Sequence, residues 1–320
     1  MSDKKLIATL SENYAGLRLD KALAELFTDY SRSFLQHCLV DGLIRVNGNT
    51  AEADTKVTGG EQVTFMLPQA EPSTAVGEAL PLNIVYEDAH LIIVNKPANI
   101  VVHPAAGHRC GTLLNALLHH CPSLETLPRG GIVHRLDKDT SGLLVIAKTR
   151  ASHFNLVSQL QHKEIERHYI ALARGQFISS GKIDAPIGRH PTDRKRMAVR
   201  QSDGKTAITH YRIAHQYTTH TRLDITLETG RTHQIRVHLS HIHHPLFGDP
   251  LYGGRHYRIK GWQPSQLDRL STFNRQALHA ARLLLKHPHS GALCSYHAEL
   301  PDDMQRLFAL FDENEQHTPG

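Results

Sequence analysis

Residues 130–149 read GGIVHRLDKDTSGLLVIAKT, with four charged side chains and a histidine set between the apolar runs IV and LLVIA. Two strands that need only a turn are joined by Asn-Gly or Asp-Gly, so these charges ask for a role. A carboxylate acting as base or nucleophile must be ionised, and a nearby guanidinium favours that form. Asp137, Asp139, Ser141 and Gly142 also hold the first, third, fifth and sixth places of an EF-hand loop, but the twelfth needs a bidentate Glu and is Lys148, which excludes calcium. His134, Arg135 and Asp137 loosely match the His-Arg-Asp of kinase catalytic loops. Leu136 interrupts that triplet, and neither a glycine-rich phosphate loop nor Asp-Phe-Gly accompanies it. A hydrolase built on Asp137 and Asp139 needs two carboxyls flanking one bond; at adjacent turn positions, Asp139 is expected to point away instead. A structural Arg and Asp satisfying one another in a turn would explain the charges with no chemistry.

His238, His241, His243 and His244 crowd a second stretch, but their spacing is not His-Glu-x-x-His and no partner carboxylate stands out, so no metal is expected. Cys38, Cys110, Cys121 and Cys294 are widely spaced without Cys-x-x-Cys, which reads as buried thiols. Hydrophobic residues make up 40% and charged residues 21% of the 320, ordinary globular values. No apolar run approaches a membrane span, and the first residues lack a signal-peptide core, so a cytoplasmic protein with no membrane contact is expected. Net charge is +5, unevenly placed: residues 1–80 carry 7 Lys/Arg against 11 Asp/Glu, and residues 81–320 carry 29 against 20. Lys182 to Arg212 alone has 8 basic and 3 acidic residues, which suits a phosphate backbone.

The elements that must position these groups fall into two regions. QAEPSTAVGEALP (69–81) mixes Pro, Gly, Ser and Glu and reads as the join. Drawn as domains, this gives an N-terminal extension (1–15), a small domain (16–75), a linker (76–82), a large domain (83–312) and a tail (313–320). In the small domain Leu19, Ala22, Leu23, Leu26 and Phe27 share a helical face, Ser31 offers an N-cap for a second helix, and IRVNGN and EQVTFML read as short strands. In the large domain Ile84 to Tyr86, Leu91 to Asn95 and Ile100 to His103 read as strands, TLLNALLHH and SHFNLVSQLQ as helices, strands dominate from Tyr169 to His238, and DDMQRLFALFDE closes the chain as a helix. Mixed strands and helices without strict βαβ alternation argue an α+β class.

Length of match decides the opening stretch. HRLD, two residues, then TSGLL is the active-site motif of RluA-type pseudouridine synthases, with all nine fixed positions present from His134 to Leu144. VYEDAHLIIVNKPANIVVHP, KEIERHYIALARG and LETGRTHQIRVHLSHIHHPLFGDPLYGG resemble that family's other motifs, so the likeness spans nearly the whole chain. Arg18, Leu19, Asp20 and SRSFLQHCLVDGLIRVNG resemble an S4 domain, an RNA-binding module. The S4-like front end and the complete motifs are most similar to the D-type subgroup.

The resemblance implies a pseudouridine synthase fold, a mixed and largely antiparallel sheet with flanking helices, behind the S4-like module. It implies isomerisation of uridine to pseudouridine without cofactor or metal. The implied partner is 23S rRNA or a large ribosomal subunit precursor, with the helix 69 stem-loop as target; a monomer is the default. Asp137 is the implied catalytic carboxylate, Arg236 its pairing cation, and Tyr169 the residue that stacks on the uracil. A stacked uridine must be flipped out to react, at a cost of a few kcal/mol, and Arg135 is the implied occupant of the gap. On the same strand face as Asp137 if a strand continues there, its planar guanidinium can both stack and hydrogen-bond. Arg231 is the runner-up to Arg236 and more an RNA contact; His134, His233 and Gln234 are implied to serve base flipping or RNA binding beside Arg135, His233 also supporting the site, and Arg18, Arg32, His37 and Arg45 belong to the RNA face of the S4-like module. The rival from another class is an rRNA-binding assembly factor without catalysis, which loss of Asp137 would have favoured. Which uridines are modified, and what residues 253–274 contribute, the sequence leaves open.

Overall fold

The computed structural model describes residues 5–27, 30, 32–66, 75–104, 110–253, 259 and 261–316. Chain contacts divide it into two units, residues 1–73 with 126–128 and the remainder.

The first unit is built from β1 (Lys5–Thr9), α1 (Leu19–Leu26), α2 (Arg32–Val40), β2 (Ile44–Val46) and β3 (Gln62–Met66), with an antiparallel sheet in the order β1-β3-β2. The apolar face of α1 packs Leu19, Ala22 and Leu23 onto Leu35, Ile44, Val63 and Phe65. Phe27 meets Phe65 edge to face with ring centres 5.4 Å apart. Of residues 1–15, expected to be an extension, 5–15 instead contribute the edge strand β1 and bury Leu10, and 1–4 lie outside the described residues. Ser31, the expected N-cap, lies outside the described residues.

The second unit continues with β4 (Ile84–Glu87), β5 (Leu91–Lys96), α3 (Leu113–His120), β6 (Ser141–Ala147), α4 (Arg150–Gln161), β7 (Glu166–Arg174), β8 (Gly181–Asp184), β9 (Ile187–Arg189), β10 (Met197–Val199), β11 (Ile208–Gln216), β12 (His220–Leu227), α5 (Gln234–His241), α6 (Pro264–Ser271), β13 (Leu278–Lys286), β14 (Leu293–His297) and α7 (Asp302–Gln316). Nine strands form one sheet, β4-β5-β6-β13-β7-β12-β11-β8 with β14 also on β13; β9 and β10 form a separate hairpin. Every pairing in the large sheet is antiparallel except β6 with β13. At that parallel seam Gly142 has φ +115°, and a Cβ there would lie 2.3 Å from the Ala280 carbonyl oxygen, so the glycine of the TSGLL motif is required by backbone contact. All seven residues of β6 are buried, and α4 packs Leu156 onto Val145, Leu283 and Leu285. The closing helix α7 buries Met304, Leu307, Phe308 and Phe311 against Leu172, Phe247 and Leu270.

Of the join read at 69–81, residues 69–74 lie outside the described residues; Val76 and Glu78 hydrogen-bond to Asn115 on α3 and belong, with the rest of the 76–82 linker, to the second unit. Of residues 253–274, 254–258 and 260 lie outside, and α6 occupies the later part. The expected tail is helical as far as Gln316, and 317–320 lie outside. Ile100 to His103 is not a strand, because the Val101 and Val102 carbonyls accept the first N–H groups of α3, from Leu113 and Leu114. The run of strands also stops short of His238: QIRVHLSH is the helix α5. No helix among the described residues is long and apolar enough to cross a membrane.

Candidate active site

Arg135 and Asp137 lie in the irregular segment before β6, not on a strand, so their positions come from what pins that segment. Lys96, at the end of β5 and fully buried, donates to the carbonyls of Pro97 at 2.7 Å, Ile100 at 3.0 Å and Lys138 at 3.0 Å. Burial pulls its pKa down to about 7, against the attraction of Asp139 and Asp137, yet three carbonyl acceptors use all three protons of an ammonium. Arg275 Nη1 donates to the Asp139 carbonyl at 3.1 Å, and Gln276 Nε2 to Thr140 Oγ1 at 3.0 Å. On the other flank, the buried ring of His134 accepts the Val145 N–H at Nε2, 3.2 Å away. Burial, helped by Arg167, drops its pKa to about 3, so it is a neutral structural acceptor.

So held, Asp137 meets the start of α5. Arg236 Nη1 donates to Asp137 Oδ2 at 3.0 Å, while Nε and Nη2 grip Asp249 at 2.7 and 2.9 Å. Asp249 is fully buried, and its Oδ1 also accepts the N–H groups of Leu251 and Tyr252. Burial opposes charge on Arg236, but Asp249 and then Asp137 outweigh it and hold its pKa above the ordinary value. A bidentate grip from behind fixes the plane in which the guanidinium meets Asp137.

His233 begins α5 with φ 58°, which turns its ring toward Asp137: Nε2 is 3.9 Å from Oδ1. Nδ1 lies 2.8 Å from the Tyr252 hydroxyl, which accepts the Met197 N–H at 2.8 Å and can donate to the ring. Burial lowers the His233 pKa, Asp137 working against it, which fits a neutral ring carrying its proton on Nε2. Gln234 is spent inside the fold: its amide donates to Ile208 O and Thr209 Oγ1 and accepts from Thr229 Oγ1 and the Arg231 N–H. Its bonds to Thr229 and Arg231 shape the 229–231 turn. His238 is likewise buried between Thr209 and the Ala185 carbonyl. Among the described residues, no group of three or more His, Cys, Asp or Glu could hold a metal ion.

Asp137 borders two cavities, one of about 620 Å³ and one of about 420 Å³. Arg129, Arg135, His233 and Arg236 line both; Tyr169, Arg167 and Arg231 line only the larger; Asp139 lines only the smaller, on the side of Lys138 and Gln276. Tyr169 on β7 is 5% exposed, and burial, with Asp137 adding and Arg167 opposing, raises its pKa. Arg135 is exposed with no hydrogen-bond partner among the described residues, so its guanidinium is available to a ligand. Arg231, also exposed, donates from Nε to the Thr206 carbonyl at 3.1 Å.

In the first unit, taken by itself, Arg18 and Arg32 converge on the fully buried Asp20, Arg32 Nη2 lying 2.9 Å from both its oxygens, while half of each arginine side chain stays exposed. Burial pushes the Asp20 pKa up, but bonds from Arg18, Gln36 and Arg32 win and lower it to about 2. Arg45 is exposed on β2.

Residues 90–241 match the family model described as RNA pseudouridylate synthase, and residues 17–63 match that of the S4 domain. The Escherichia coli protein named ribosomal large subunit pseudouridine synthase D is 52% identical over 307 residues, 96% of this chain and 94% of its own. This chain belongs to the RNA pseudouridine synthases. The synthase has same-named relatives in Nitrosomonas europaea, 52% identical over 93% of this chain and 86% of that protein, and Vibrio parahaemolyticus, 50% identical over 98% and 96%. The solved human RNA pseudouridylate synthase domain containing 4 shares the fold, with TM-score 0.55 at 23% identity over 72% of this chain and 93% of that one. Sequence reasoning missed Asp249, Lys96 and Tyr252. Each stands in a motif already singled out, Lys96 before Pro97 and Asp249 in FGDPLY, but nothing local says that they hold the groups around Asp137.

Proposed function

We propose that this synthase isomerises uridine in 23S ribosomal RNA of the large subunit, in the helix 69 stem-loop, with Asp137 as its essential carboxylate. What carries the reading is the carboxylate of Asp137 at the junction of two cavities, held by Arg236, which Asp249 grips from behind. The larger cavity is of a size that takes a nucleotide. The relatives' name supports the large-subunit substrate, and the D-type resemblance supports the stem-loop.

Each neighbour has a part. Arg135, exposed and unpaired among the described residues, enters the stack when the uridine leaves it. Tyr169 packs against the flipped uracil. Asp137 acts at the ribose or the base while the C1′–N1 bond breaks, and the cavity retains the uracil until C5 bonds to C1′. The S4-like module adds a few ordered cations, Arg18, Arg32 and Arg45, in a region of net negative charge, which favours a fit to RNA shape over bulk attraction.

The test is tritium release from 23S rRNA labelled at uracil C5, free and in immature large subunits, by the wild type and by Asp137→Asn after both are shown to fold and bind RNA. The wild type is expected to release tritium, with the variant slower by about a thousandfold or more. A folded, RNA-binding wild type that releases none from either substrate would make the protein a binding factor instead.

A further inference from the structure

Among the described residues, Arg167 is a buried cation with no anion. It sits on β7 two residues before Tyr169, on the same strand face, and is 6% exposed. Among the described residues its guanidinium makes one hydrogen bond, a long one from Nη2 to the Leu227 carbonyl at 3.4 Å, and its buried Nε has no partner. No carboxylate lies within ion-pair distance of it among the described residues. Its neighbour His134 is neutral, as described above. The wall opposite is bare by sequence: a Cβ on Gly230 would lie 2.6 Å from Arg167 Nη1. Burying a charge unpaired is costly, and such uncompensated groups concentrate where a ligand completes them. Burial lowers the pKa of this guanidinium, a sign of the same cost.

The larger cavity, which Arg167 lines together with Tyr169 and Asp137, is where that ligand must sit. A phosphate is a poor match: Arg135 and Arg231 offer exposed guanidinium groups at the same cavity, whereas Arg167 is buried in its wall beside Tyr169. The base itself becomes the anion. When C1′–N1 breaks, the electron pair stays on N1 and the uracil carries a negative charge shared among N1, O2 and O4. This holds whether Asp137 satisfies C1′ by bonding to it or by taking a ribose proton to leave a double bond. C5 then bonds to C1′, either displacing the Asp137 carboxylate or adding to the double bond as the ribose proton returns, and the charge is gone once the C5 proton leaves and a proton is regained at N1.

We propose that Arg167 is a catalytic residue that donates N–H groups to the detached uracil anion. The inference rests on the isomerase reading above. A donor that meets charge only after the bond breaks lowers the barrier without tightening substrate binding.

The experiment compares wild type, Arg167→Met and Arg167→Lys in single turnovers at saturating enzyme, on 23S rRNA transcripts made with uridine or with 5-fluorouridine. It reads glycosidic cleavage as loss of the starting nucleoside, RNA affinity by filter binding, and thermal stability. Fluorine withdraws electrons and steadies the leaving anion, so the donor matters less. Arg167→Met is expected to slow cleavage about 100-fold with uridine and much less with 5-fluorouridine, with RNA affinity within about threefold of wild type and a melting temperature unchanged or raised. Arg167→Lys, which keeps a charge, is expected to fall between. Equal losses on the two transcripts, a loss seen only as weaker RNA binding, or no loss would each overturn the assignment. If the Met variant does not fold, the Lys variant is judged by the same ratio of the two transcripts. A wild type that cleaves neither transcript removes the isomerase reading itself, and the assignment with it.

Discussion

Arg236→Met separates what the Arg236 guanidinium does for the fold from what it does for Asp137. Arg236 and Asp249 form a bidentate pair at 2.7 and 2.9 Å, and Asp249 is fully buried. Without the guanidinium, Asp249 keeps two backbone N–H bonds but becomes a buried charge with no cation. Breaking such a pair from one side costs about 3–5 kcal/mol. In a domain of this size about 2–4 °C of melting temperature goes with each kcal/mol, so the single variant should melt about 6–20 °C lower. Asp137 adds little, because at 15% side-chain exposure water can reach it. Adding Asp249→Asn removes the stranded charge while its amide oxygen still accepts from Leu251 and Tyr252, so the double variant should recover at least half of the loss. Activity should not return, because Asp137 still lacks its partner; both variants are expected to release tritium about 100-fold more slowly than wild type. Differential scanning calorimetry and tritium release read the two effects separately. A double variant no more stable than the single one, or a single variant within about 2 °C of wild type, would refute the stranded-charge reasoning.

The first unit should be acid-sensitive through Asp20. Its folded pKa is about 2 against an ordinary 3.8, so the folded state binds its proton later than the unfolded chain. That stability is fully present above the ordinary value and is lost as pH falls from about 4 through about 2. Amide NMR signals from residues 5–66 should report the loss in the wild type and a flatter profile in Asp20→Asn; parallel profiles would show that the arginine cluster does not hold the unit together. Arg135→Lys should slow conversion about 10-fold or more, since an ammonium cannot stack in the vacated place. The defect should shrink on rRNA unfolded by heat at low magnesium, where the uridine is already unstacked, and a defect of constant size would remove Arg135 from the flipping step.

Where one segment's own pattern decides its structure, the sequence was readable: the amphipathic period of α1, the leucines of α3 and the β-branched run of β5 each survive into the fold. The misreadings share a cause. Ile235, Val237 and Leu239 alternate as in a strand, but residues 234–239 are all buried, and a helix buried on every side loses the period that identifies it. Ile100 to His103 has strand-like side chains, yet its carbonyls are claimed by α3 and Lys96, and such distant claims leave no local mark. The same is true of Arg135 and Asp137. Lys96, Arg275 and Gln276 pin the segment that carries Asp137, and they come from far along the chain. Arg167 differs, because its signal was present: ERHYIALA puts a guanidinium at an inward strand position two residues from Tyr169. A charge where the alternation demands an apolar residue conflicts with folding. In a chain otherwise consistent from pattern to packing, such a conflict persists where a ligand supplies the missing partner.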